Sequence, residues 1–177
     1  GRRQRAPFRR GRARRIAGEW RGAAARQAAS PRAGFRAAAA PAGPATVEAL
    51  NASNPGTLNE ALGIRLTEVG DDFLRGTLPV DQRTIQPFGL LHGGASVALA
   101  ETLGSLGGWL TLPAGGGRTV GIEINANHIR AASAGEVTGT ARPLHLGRST
   151  QVWEIRIEDA QGRLTCISRL TLAVVAG

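Results

Sequence analysis

At 177 residues with 42% hydrophobic content, the chain has the size of one ordinary domain and enough apolar material for a core. Its net charge of +9 suggests a nucleic-acid partner until it is located: residues 1–45 hold 12 Arg and one acid, Glu19, whereas residues 46–177 hold 10 Arg and 12 acids. The first segment is therefore +11 and the rest −2, so composition gives no argument that the folded part binds phosphate backbones.

Residues 1–45 mix Arg, Ala, Gly and Pro without a sustained apolar period, and such a segment cannot bury enough surface to offset its ordering entropy. It is expected to be a disordered extension, with residues 46–177 forming the domain. An Arg-rich, acid-poor start also fits an RNA-binding or membrane-surface arm or a targeting peptide. An extension from an upstream start is preferred, because the chain begins with Gly and contains no Met.

Two short helices are predicted next, one after Thr46 and one after Thr57, where Glu60 completes a capping-box spacing. IRLTEV and FLRGTLPV then flank Gly70, Asp71 and Asp72 as a hairpin, with Leu74, Gly76, Leu78 and Val80 along one face. From Gly93 a helix apolar nearly all round runs to about Leu112, where Pro113 and Gly115 to Gly117 stop it. A helix of that kind must be enclosed by other structure. The stretch from Ile85 to Gly117 is not read as a membrane span, since Gln86, Pro87, His92, Glu101, Pro113 and nine glycines interrupt it.

Four strands follow, TVGIEINANHIR, EVTGTARPL, STQVWEIRIED and LTCISRLTLAVV. Gln151, Trp153, Ile155 and Ile157 alternate with Glu154, Arg156 and Glu158 in the third. Short connections predict antiparallel neighbours. The expected architecture is α+β: a sheet of about six antiparallel strands around one long helix. The lone Cys166 excludes an internal disulfide, fits a reducing cytoplasm, and reads as an inert strand residue.

Chemistry concentrates in PFGLLHGGASVALAE. Between Ile85 and Gly117 the only formally charged side chain is Glu101, and burying a lone carboxylate is costly unless something pairs with it or uses it. The amides of Gly93 and Gly94 at the helix start offer a site for an oxygen gaining negative charge. Glu101 lies eight residues after Gly93, about 12 Å along the axis at about 1.5 Å per residue, so one substrate carbon cannot touch both. If both act on it they come from different subunits, which predicts a homodimer with shared sites.

His92 reads equally as a helix cap, and Gln86 as a donor to the same oxygen or a solvated loop residue. Ala98, Gly104, Ser105 and Gly108 share the face of Glu101 and either admit a flat substrate or pack on the sheet. Ser105 is placed to hydrogen-bond Glu101 or an attacking water. His92, His128 and His145 lack the spacing of zinc ligands, so no metal is expected.

QPFGLLHGGASVALAE, GIEINANHIR and PLHLGRS together resemble the hotdog-fold acyl-CoA thioesterases of the phenylacetate-degradation type, over about Thr46 to Val175. Within that group the likeness is strongest to the bacterial enzymes acting on 1,4-dihydroxy-2-naphthoyl-CoA in menaquinone synthesis, with a paralogous branch that proofreads enterobactin assembly. The resemblance implies a hotdog fold, dimers paired into a homotetramer, cytoplasmic acyl-CoA hydrolysis, and no cofactor beyond the CoA of the substrate. It assigns Glu101 as the catalytic carboxylate, Gly93 as the polarising amide, Gln86 and His92 as its helpers, and Ser105 as an orienting hydroxyl. It also assigns CoA contacts to His128, Ile129, Arg130 and Ala131 and to His145, Leu146, Gly147, Arg148, Ser149 and Thr150, and a substrate contact to Gly121.

Arg130 and Arg148 suit forked bonds to phosphate. Phenylacetyl, hydroxybenzoyl and carrier-protein-bound aryl thioesters are the alternative substrates, and a non-catalytic acyl-CoA sensor with a DNA-binding arm is the reading from another class. Neither membrane nor nucleic-acid partners are expected.

Overall fold

A computed structural model of the protein describes residues 46–113 and 116–176; the expectations for residues 1–45 lie outside it. Two short helices, α1 (Val47–Asn51) and α2 (Leu58–Leu62), precede β1 (Arg65–Val69) and β2 (Leu74–Pro79). The long helix α3 (Gly93–Leu110) follows, then β3 (Arg118–His128), β4 (Glu136–Leu146), β5 (Thr150–Glu158) and β6 (Leu164–Val175). The six strands form one antiparallel sheet in the order β1-β2-β4-β5-β6-β3, and α3 packs against β2 through β6. No helix among the described residues is long and apolar enough to cross a membrane.

The predicted caps are partly correct. Thr46 accepts from the Ala49 amide at 3.2 Å and caps α1, but Thr57 makes no side-chain cap and Glu60 takes the Gly56 amide instead (2.7 Å). The turn has shifted by one residue, because the Thr57 hydroxyl donates to the Asn54 carbonyl. Helix α3 ends two residues before the expected Leu112: Thr111 donates to the Gly108 carbonyl (2.7 Å) and accepts from Gln151 Nε2 (2.9 Å).

The alternation in β5 is realised, with Gln151, Trp153, Ile155 and Ile157 all buried. Helix α3 meets β5 and β6 through glycines. A Cβ at Gly104 would lie 2.6 Å from Leu170, one at Gly107 2.8 Å from the Trp153 ring, and one at Gly108 2.5 Å from Leu172. Adding carbon to such contacts forces side chains off their rotamers, at about 1–3 kcal/mol. Of the two readings of the small-residue face, sheet packing is the one that Gly104 and Gly108 realise. Buried Gln151 receives the Trp153 indole N–H at 3.0 Å and ties β5 to the end of α3.

One connection departs from the short-loop expectation. Strand β3 does not pair with β4 but crosses to the far edge beside β6, with a bulge between Gly121 and Glu123. Its outer edge has no partner strand among the described residues, and Val120 and Ile122 are 45% and 62% exposed there. Cys166 is buried on β6, and burial pushes its thiol pKa up, so it stays protonated and unreactive.

Candidate active site

The loop entering α3 is held before the helix begins. Buried Thr84 donates to the Pro79 carbonyl (2.6 Å) and accepts from the Asp81 amide (3.1 Å). The His92 amide donates to the Thr84 carbonyl and the Leu91 amide to that of Ala132, both at 2.8 Å. Between them Gln86 to Leu90 form a turn with Gly89 at φ 77°, a left-handed conformation that glycine adopts without strain. The Gln86 side-chain oxygen accepts from the Phe88 amide, which leaves its NH₂ group free to donate.

The first helical turn disposes of its amides unequally. Gly94 donates to His92 Nδ1 at 2.8 Å, and Ala95 and Ser96 donate to the His92 carbonyl at 3.0 and 3.2 Å. Only the Gly93 N–H has no acceptor among the described residues. Because Nδ1 accepts, His92 is the tautomer protonated at Nε2. His92 is thus the helix cap and does not line the adjoining cavity.

That cavity measures about 320 Å³ and brings together Gln86, Gly93, His128, Ile129, Arg130 and Ala131. His128 stands directly over Gly93: a Cβ on the glycine would lie 2.7 Å from His128 Nε2. Two neutral donors, the Gly93 amide at a helix N-terminus and the Gln86 amide, therefore face one space, an arrangement that stabilises negative charge on a bound oxygen. Sequence reasoning did not single out Ser96, Thr165, Leu90, Leu91 or Ala132, which also line it. The available signal for Ser96 was a polar residue at i+3 from Gly93 on an otherwise apolar face.

Glu101 is not part of that cavity. It lies two turns further on and is half-buried rather than enclosed, because its side of α3 faces the open edge strand. Gly121 of β3 sits against it: a Cβ there would be 2.8 Å from Glu101 Oε1. Ser105 does not hydrogen-bond Glu101; its carbonyl accepts from Thr119 at 3.2 Å, and its hydroxyl has no partner among the described residues.

The two CoA-assigned segments are also apart. His128 pairs with Cys166 and Thr150 with Ala173 on β6, which at about 3.3 Å per residue separates the two levels by roughly 23 Å. The turn after His145 is closed by the Gly147 amide on the Thr150 carbonyl (2.9 Å), and the Ser149 carbonyl accepts from the Val174 amide (2.9 Å). One chain therefore carries a donor half-site at one end, with Gly93, Gln86, His128 and Arg130. An acid half-site lies toward the other, with Glu101, Gly121 and the turn bearing Arg148.

Residues 88–166 match the Thioesterase superfamily. The proofreading thioesterase EntH of Cronobacter turicensis is 62% identical over 130 residues, 73% of this chain and 94% of that protein. The chain belongs to the thioesterase superfamily. A relative in Escherichia coli, 1,4-dihydroxy-2-naphthoyl-CoA hydrolase, is 56% identical over 130 residues, covering 73% of this chain and 95% of that protein. A solved thioesterase from Haemophilus influenzae superposes with a TM-score of 0.73 at 50% identity, over 75% of this chain and 92% of that one. The resemblance read from the motifs and the hotdog architecture are both borne out, and the protein is a thioesterase: it cleaves a thioester by addition of water.

Proposed function

We propose that this thioesterase hydrolyses an aromatic acyl-CoA, with 1,4-dihydroxy-2-naphthoyl-CoA the leading substrate, in active sites completed by a second copy of the chain. The observation that carries the reading is that the Gly93 amide and the Gln86 NH₂, neither with a partner among the described residues, share one cavity that lacks Glu101. The donors hold the thioester oxygen and Glu101 of the second copy supplies the base or nucleophile. The open edge of β3, with Val120 and Ile122 exposed, supports antiparallel pairing of two β3 strands, which would bring the acid half of each chain toward the donor half of the other. Two such dimers would make the tetramer.

In the general-base route Glu101 takes a proton from water, hydroxide adds to the thioester carbon, and the oxyanion forms against Gly93 and Gln86. Collapse breaks the C–S bond and the thiolate leaves, taking up a proton as the acid is released. In the covalent route the carboxylate attacks first and water hydrolyses the anhydride. Labelled oxygen from water entering Glu101 in a single turnover selects the covalent route.

The 56% identity to the 1,4-dihydroxy-2-naphthoyl-CoA hydrolase supports the leading substrate. The 62% identity to a proofreading thioesterase favours a carrier-protein-bound aryl thioester as the second reading. A panel of dihydroxynaphthoyl-, phenylacetyl- and hydroxybenzoyl-CoA with an aryl carrier protein, compared by kcat/KM, decides among them. For the shared site, inactive Glu101→Ala and Gly93→Pro chains are mixed and reassociated. Hybrid dimers should recover activity, and confirmed hybrids without activity reject the interface.

A further inference from the structure

Ser96 is the only polar side chain in the first two turns of α3, and it is 3% exposed. Its hydroxyl has no hydrogen-bond partner among the described residues. Nor is it sealed away, because Ser96 lines the cavity into which the Gly93 amide opens. A helical serine commonly donates back to the i−4 carbonyl, but here that carbonyl, His92 O, serves the Ala95 and Ser96 amides instead. The other hydroxyl in the cavity wall, that of Thr165, donates to the Ile157 carbonyl at 3.0 Å and is already used.

A hydroxyl that opens into a cavity without a partner among the described residues is available to whatever molecule fills that cavity. Side chains on a helix lean toward the N-terminus and cover the preceding turn, so Ser96 at i+3 reaches back over Gly93. We infer that the Ser96 hydroxyl donates to the same thioester oxygen as the Gly93 and Gln86 amides, making a third donor to the oxyanion. The inference rests on the thioester reading above. Ser96 keeps its proton throughout; the hydrogen bond shortens as charge gathers on the oxygen and relaxes when the C–S bond breaks.

The test is Ser96→Ala assayed with benzoyl-CoA and followed by thermal unfolding. Loss of one donor should lower kcat about 10- to 100-fold with KM within about twofold, while Tm stays equal to the parent, because no hydrogen bond within the protein is lost. A kcat within twofold of the parent, a loss carried wholly by KM, or a fall in Tm revealing a structural bond would each overturn the assignment. Glu101→Gln in the same assay separates the two levels. Loss there with none in Ser96→Ala rejects the Ser96 role alone. A parent inactive on benzoyl-CoA and on the aryl thioester panel rejects the functional reading and the Ser96 role together.

Discussion

The two ends of α3 handle their polar and apolar groups in opposite ways. Its last two turns are closed by packing on the sheet side: Gly104, Gly107 and Gly108 meet Leu170, Trp153 and Leu172 at distances that exclude a methyl group, and Thr111 and Gln151 bond each other at the helix end, while the Ser105 hydroxyl has no partner among the described residues. In its first turn the Gly93 amide and the Ser96 hydroxyl have no partner among the described residues, and neither has the neighbouring Gln86 NH₂. Stability is concentrated where the helix meets β5 and β6, which lets the opposite end keep unsatisfied donors that would destabilise a free-standing helix start.

Substitutions at the two ends should therefore separate activity from stability. The largest effect is expected at Glu101→Gln, which should lower kcat/KM about 10²- to 10⁴-fold with Tm unchanged; cleavage of aryl thioesters at the parental rate would reject the acid's role. Gly107→Ala should do the reverse, costing about 1–3 kcal/mol through collision with Trp153, read as a lower denaturant midpoint. The protein that remains folded should retain its kcat.

Gly121→Ala tests the acid half without disturbing the core. The new methyl meets only the far end of the Glu101 side chain, so Tm should hold while kcat falls about tenfold, a 1.4 kcal/mol misplacement of the carboxylate. The smallest effect belongs to the loop ahead of the helix, where hydrogen bonds from Arg83 hold the Asp81 carboxyl below its ordinary pKa. A lowered carboxylate pKa adds stability above the unfolded value, lost as pH falls through the folded one. Arg83→Ala should thus be slightly less stable than the parent at pH 7 and draw level with it as the pH falls below the ordinary carboxylate range, seen as unfolding curves that come to coincide.

The fold was largely legible in local pattern. The alternation of Gln151, Trp153, Ile155 and Ile157 places β5, and HGG followed by an apolar run ending at Pro113 places α3 to within two residues. The position of β3 was not legible, because a short loop after it suggests pairing with β4, whereas sheet order is decided by which surfaces close over the helix. At the site, residue types pointed to Gly93, Gln86 and Glu101, and helical rise alone separated the first from the last. The cap reading of His92 was available from its place before Gly93, but the choice between cap and helper, like the idle hydroxyl of Ser96, depends on which donors and acceptors are already taken, which no spacing rule records.

The bulge in β3 has a geometric consequence. Side chains on a strand alternate faces, so Gly121 and His128, an odd number of positions apart, should point to opposite sides of the sheet. Both face α3, one against Glu101 and the other over Gly93, because the extra residue between Gly121 and Glu123 inverts the parity of everything after it. Thr119 faces the helix before the bulge, and Ile124 and Ala126 face it afterwards. A single looped-out residue thus acts as a phase shifter: drawn into the ladder as an ordinary paired residue, Ile122 would turn His128 outward while leaving Gly121 in place.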